Sequence, residues 1–105
     1  MSATLPCMLL VEPQFVLRRT LVAVGRDLGI VTFHEAANLE RGRTLLLAQA
    51  YQGLVLDFQD AERALALLRE LREGRFATAP DVHVVVVAAD LQPQDEERLR
   101  QWGVA

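Results

Sequence analysis

The stretch Gly53-Leu54-Val55-Leu56-Asp57 decides the fold. A short apolar run that stops on an acid reads as a buried strand whose last residue emerges at the sheet's edge. That is where open α/β sheets assemble their sites. Two further segments repeat the pattern: Leu9-Leu10-Val11-Glu12-Pro13 and Val82-His83-Val84-Val85-Val86-Val87-Ala88-Ala89-Asp90. Ile30-Val31-Thr32-Phe33 is rich in β-branched and aromatic residues and reads as another strand.

Between the strands the period changes from continuous to helical. Phe15 to Leu28 places Leu17, Leu21, Val24 and Leu28 on one stripe, and Gly29 ends it. Asn38 caps a helix to about Ala50, despite Gly42. Asp60 caps one to about Arg72, with Leu65, Leu68 and Arg72 in register, and Gly74 stops it. Pro93 opens a last helix with Asp95, Glu96 and Glu97 in its first turns, favourable to the dipole, and Gly103 ends it. The order is β-α-β-α-β-α-β-α. Continuous apolar strands alternating with helices predict a parallel sheet covered on both faces. No repeat or linker interrupts it, so residues 1–105 form a single domain.

Composition narrows the function classes. Half of the 105 residues are hydrophobic, which argues against disorder. The formal charge of −3 argues against direct binding of nucleic acid or an anionic membrane. No apolar run approaches the roughly 20 residues of a bilayer span, and residues 1–6 lack the pattern of a signal peptide. A cytoplasmic protein is expected. Cys7 is the only cysteine and Ser2 the only serine, which excludes an internal disulfide and a serine triad. His34 and His83 lack metal-spaced partners. There is no P-loop and no dinucleotide fingerprint. All 11 basic residues are Arg.

These residues together resemble the receiver domain of two-component response regulators, over nearly the whole chain. Leu9 to Leu21 looks like the family's first strand, acidic pair and first helix. Tyr51 to Asp57 looks like the stretch ending in the phosphate-accepting aspartate. Val82 to Asp90 looks like the fourth strand and its loop, and Gly103-Val104-Ala105 like the approach to a fifth strand. The resemblance implies a flavodoxin-like, doubly wound parallel sheet, incomplete at its C-terminal edge. It also implies a site in which Mg²⁺ and a Lys neutralise charge while a carboxylate takes up a phosphoryl group, and a hydroxyl then bonds it.

The chain departs from that site at most positions. Asp57 matches the phosphoacceptor. Glu12 matches the first acid, one methylene longer, and with Asp57 makes a weak Mg²⁺ ligand pair; otherwise it is an exposed, leftover carboxylate. Pro13 stands at the second acid and Ala88 at the hydroxyl; the family's Lys lies beyond Ala105, and residues 1–105 include no Lys. Asp57-Phe58-Gln59-Asp60 runs almost directly into a helix, leaving Asp60 and Glu62 as remote candidates to replace the lost acid. The expectation is an atypical receiver, a pseudo-receiver acting by protein–protein interaction and not an enzyme, whose partner is a histidine kinase or a downstream signalling protein. The alternative is a working receiver phosphorylated on Asp57 by a histidine kinase with Mg²⁺. A third class, a flavodoxin-like binder of a small ligand at the sheet's carboxyl edge, has no specifying motif.

The family continues into a fifth strand and helix. Without them, Val82–Val87 is an open edge of five Val and one His, prone to pairing. Either the chain is a fragment of a longer polypeptide or a partner covers the edge, for instance a second copy in a homodimer.

Overall fold

A computed structural model describes residues 5–104. Residues 1–4 and Ala105, the last residue of the Gly103-Val104-Ala105 segment, lie outside the described residues. The elements are β1 Cys7–Val11, α1 Phe15–Leu28, β2 Thr32–Ala36, α2 Leu39–Ala48, β3 Gly53–Asp57, α3 Ala61–Arg72, β4 Val84–Val87 and α4 Pro93–Gln101. The four strands form one parallel sheet in the order β2-β1-β3-β4. This is the doubly wound α/β architecture expected from the alternation, with β1 and β3 central.

Strand register sorts the side chains onto two faces. Leu9 pairs with His34 and Leu54, and Leu54 with Val84; Val11 pairs with Ala36 and Leu56, and Leu56 with Val86. That face carries the core. Leu9, Val11, Leu54, Leu56 and Val84 are buried in one cluster with Leu46 of α2, five residues of α3 and Leu99 of α4. The other face carries Met8, Leu10, Phe33, Val55, Val85 and Val87 by the same register. Only α1 lies on it. A Cβ added to Gly25 of α1 would sit 2.8 Å from Val31 and 3.1 Å from the Phe33 ring, so glycine permits that close approach.

The sheet therefore has helices on both faces, as the strands' apolar character suggests, but among the described residues the second face is covered only in part. α1 shields the β2 side, and Val85 near the opposite edge is 42% exposed. The predicted stripe of α1 is corrected for the same reason. Leu17 and Leu21 are half-buried, whereas Val24 and Leu28 are exposed because no second helix lies against them among the described residues.

Two strand boundaries also move. Ile30 belongs to the end of α1, its N–H donating to the Gly25 carbonyl after Gly29 turns at φ +65°. β2 begins at Thr32, paired with Cys7, and ends at Ala36. β4 begins at Val84, because the Val82 N–H is taken by Ala79 in a turn. The helix starts hold: Asn38 accepts from the Arg41 N–H at 2.7 Å and Asp60 from the Arg63 N–H at 3.2 Å. Gly42 survives inside α2 because a Cβ there would meet Val11 at 2.7 Å.

One side chain joins the last elements. Arg72, at the end of α3, donates to the carbonyls of Trp102 at 2.7 Å, Pro80 at 2.8 Å and Val82 at 2.7 Å. It fixes the approach to β4 and the end of α4 with one guanidinium. Arg72 stands in the charged run Arg69-Glu70-Leu71-Arg72-Glu73-Gly74-Arg75, and its three carbonyl contacts make it a clamp. Glu70 and Glu73 beside it make surface pairs, with Arg43 and Arg75 respectively. Leu91 and Trp102 pack against the core cluster.

Candidate functional site

Strand direction brings Glu12 and Asp57 to one end of the sheet. β1 ends at Val11 and β3 at Asp57, and Val11 pairs with Leu56, so the residues that follow each emerge side by side. The loop after β4 completes the wall with Ala88, Ala89 and Asp90. These groups line a cavity of about 420 Å³ together with Gln14, Leu17, Phe58, Gln59 and Val87. Among the described residues three carboxylates line it and no basic side chain does.

Each carboxylate is engaged locally. Asp57 is half-buried, and its Oδ2 accepts from the Gln59 N–H at 3.0 Å, capping the turn into α3. Glu12 is 2% exposed, which corrects the expectation of a leftover exposed acid. Its Oε2 accepts from the Gln14 N–H at 3.1 Å, and the Arg18 guanidinium holds its backbone carbonyl at 2.9 Å. Arg18 in turn pairs with Glu35 of β2, so the β1–α1 loop is pinned to the neighbouring strand. Asp90 is exposed and accepts from the Gln92 side chain.

The remaining candidates are elsewhere. Asp60 caps α3, and Glu62 pairs with Arg98 of α4 at 2.7 Å; neither lines the cavity. The Arg98 guanidinium lowers the Glu62 carboxyl pKa through that hydrogen bond. Pro13 is exposed and offers no donor, and Ala88 carries no hydroxyl. Mg²⁺ takes oxygen ligands in near-octahedral geometry. Glu12 and Asp57 offer two carboxylates, each with an oxygen already bonded to a backbone N–H. Among the described residues no group of three or more His, Cys, Asp and Glu comes together to hold a metal. The residues present do not make a Mg²⁺ cage.

Sequence reasoning missed one polar pair on the other end of the sheet. His34 Nδ1 and the Tyr51 hydroxyl lie 2.9 Å apart, edge to face. Burial raises the Tyr51 pKa above the usual phenol range, with Cys7 adding to it. His34 on β2 and Tyr51 before β3 lie on strands flanking β1, a proximity that only the strand order reveals.

No family model and no curated protein matches the chain. Solved structures do. A response regulator from Thermotoga maritima superposes with a TM-score of 0.79 at 20% identity, over 97% of this chain and 82% of its own. The fold is that of receiver domains. A response regulator receiver protein from Pseudomonas putida gives 0.82 at 24% identity, over 99% and 84%. A signal receiver domain of a two-component histidine kinase from Clostridium thermocellum gives 0.80 at 15%, over 94% and 80%. Each of these receiver structures holds roughly a fifth of its chain outside the match. On the receiver fold, the Asp57 cavity lies at the carboxyl ends of the strands, where doubly wound sheets bind their ligands. No described helix is long and apolar enough to cross a membrane.

Proposed function

We propose that this chain is a pseudo-receiver, a protein-interaction module of bacterial two-component signalling that carries out little or no phosphotransfer and is not an enzyme. One observation carries the reading: among the described residues the cavity around Asp57 is lined by three carboxylates and no basic side chain. A phosphoryl group brought there meets like charge. Two unit charges at 4 Å repel by about 4 kcal/mol at an effective dielectric near 20, and among the described residues no group of three or more His, Cys, Asp and Glu comes together to hold a metal that would offset this. The hydroxyl contact that would convert phosphorylation into a conformational change is also missing at Ala88. Asp57 then works as a turn cap and Glu12 as a buried acceptor for its own loop.

Mg²⁺ binding through Asp57 and Glu12 is weak in this reading, and no other cofactor is required. The partner is a signalling protein, either a histidine kinase or a downstream component, met in the cytoplasm. Phe15 and Val16, 66% and 75% exposed at the start of α1, give such a partner an apolar foothold beside the cavity. The net negative charge disfavours nucleic acid and anionic membrane as direct partners.

Incubation with acetyl phosphate and excess Mg²⁺, followed by intact-protein mass spectrometry, tests the reading. The expected spectrum shows unmodified protein. A phosphoryl adduct that disappears in Asp57→Asn would restore the alternative, a working phosphoacceptor served by a histidine kinase.

A further inference from the structure

α3 lies between two helices. α2 packs on one flank and α4 on the other, and residues of all three join the core cluster on one face of the sheet. The outer side of α3 therefore faces solvent whatever pairs with β4. Its centre is Ala66, small and exposed. At 3.6 residues per turn, Arg63 and Glu70 fall on one side of Ala66, and Glu62 and Arg69 on the other. Two clefts follow this division. One, of about 210 Å³, opens toward α2 and is lined by Leu39, Leu67, Arg63 and Glu70. Its counterpart, of about 200 Å³, opens toward α4 and is lined by Leu65, Trp102, Glu62 and Arg69. Ala66 belongs to both, so a longer side chain there closes both.

The charges on this face are sorted. Glu70 is held by Arg43 of α2 at 3.0 and 3.2 Å, and Glu62 by Arg98 of α4 at 2.7 and 3.0 Å. Both pairs are bidentate, which turns each glutamate sideways to a neighbouring helix. Hydrogen bonds from those guanidinium groups lower both glutamate pKa values, so the pairs persist in mild acid. Among the described residues neither Arg63 nor Arg69 has an ion-pair partner. α3 thus presents outward two unmatched guanidinium groups, about 9 Å apart along its axis. The clefts are lined by four of the eleven arginines and three of the fourteen acids, Glu40 included, leaving seven against eleven elsewhere. This is the basic face of an acidic chain.

An occupant must bring acid to two points and an apolar group to each cleft. A cavity of about 150 Å³ takes one benzene-sized group, so each cleft takes one leucine-sized side chain. On a helix, carboxylates at i and i+7 share a face about 10.5 Å apart, with positions i+3 and i+4 between them. That pattern supplies two acids and two apolar groups together. A strand places only one same-face residue between acids four positions apart. Two copies meeting through this face would set arginine against arginine, so the occupant is a different protein.

We propose that the outer face of α3, with its two clefts meeting at Ala66, docks an acidic amphipathic helix of another signalling protein. Apolar side chains fill the clefts, and two carboxylates pair with Arg63 and Arg69. Exposed ion pairs are weak singly and screened by salt, so the complex is transient and salt-sensitive. The inference goes beyond the pseudo-receiver reading and does not depend on the state of Asp57.

The test titrates a synthetic helix of about fourteen residues, with Glu at i and i+7 and Leu at i+3 and i+4, into the full ¹⁵N-labelled chain. Saturable amide shifts should map to Ala66, Arg69 and Trp102, equally in Asp57→Asn. Ala66→Gln, at an exposed helical position, should weaken binding about tenfold with the urea midpoint unchanged. Arg63→Glu with Arg69→Glu should abolish binding, and a peptide with Arg in place of its two Glu should restore it. The milder Arg63→Gln with Arg69→Gln, which adds no like charge to α3, should still weaken binding about tenfold. A peptide with Gln for Glu that binds equally well overturns the proposal, as do shifts confined to other faces or no shift at millimolar peptide. So does self-association of the chain that Ala66→Gln abolishes, which assigns the face to a second copy.

Discussion

Replacing Arg72 with Met keeps the aliphatic stem and removes all three hydrogen bonds that tie the 80–82 turn and the end of α4 to α3. The Pro80 contact is exposed, so water replaces it at little cost. The contacts to Trp102 and Val82 are part-buried, and their carbonyls lose a charged donor. Hydrogen bonds to charged groups are worth about 1.5–3 kcal/mol each. The two share one guanidinium and do not add fully, so the expected loss is about 2–4 kcal/mol. A domain of this size has only about 5–15 kcal/mol of stability in total. Arg72→Met should therefore lower the urea midpoint markedly with an unchanged m-value. Arg72→Lys should recover part of the loss, because a single ammonium cannot reach carbonyls on two elements in the same geometry. Amide exchange should also quicken at Trp102 and Val104 before the rest of the chain. A Met variant within 0.5 kcal/mol of the parent, with no local fraying, would refute the clamp.

Three further outcomes follow from the same contacts. Gly42→Ala gains up to about 1 kcal/mol of helix propensity but drives a methyl to 2.7 Å from Val11 in the core. The net result by urea denaturation should be a loss of about 1–2 kcal/mol, reversed in sign when Val11 is also shortened to Ala. Because burial raises the Tyr51 pKa, the folded state holds that proton more tightly than the unfolded chain. Its contribution is complete below the ordinary phenol value near 10 and is lost as pH rises through the raised folded value. Melting temperatures recorded across that range should fall less steeply in Tyr51→Phe, which at neutral pH costs about 1 kcal/mol for the lost His34 bond. Finally, Pro13→Asp combined with Ala88→Thr should raise Mg²⁺ affinity at least tenfold by calorimetry. Unchanged affinity would mean that the short Asp57–Asp60 loop, not the missing ligands, has dismantled the pocket.

The fold was largely legible because its signals are local. Apolar runs at Leu9–Val11 and Gly53–Leu56, caps at Asn38 and Asp60, and glycine stops at Gly29 and Gly74 each act within a few residues. The strand order and the pairing of Glu12 with Asp57 at one cavity followed from the resemblance. The failures are tertiary. Val24 and Leu28 have the periodicity of a core stripe, but periodicity says nothing about whether a neighbour exists to bury them. Ile30 looks like a strand residue, yet the turn at Gly29 commits its N–H to α1. Glu12 looked like a solvent-facing remnant. Its burial depends on the Gln14 N–H and on Arg18 anchoring the loop to Glu35, contacts no linear pattern encodes. Arg72 is hidden in a charge run whose Glu70 and Glu73 make ordinary surface pairs.

A pseudo-receiver requires that the Asp57 cavity take up no phosphoryl group. Beryllofluoride mimics that group without requiring a kinase, so its titration with Mg²⁺ into the labelled chain addresses that requirement directly. Amide shifts of Asp57, Ala88 and Ala89 should stay within the range given by fluoride and Mg²⁺ alone. Saturable shifts at those residues, abolished in Asp57→Asn, would contradict the account and identify a working phosphoacceptor.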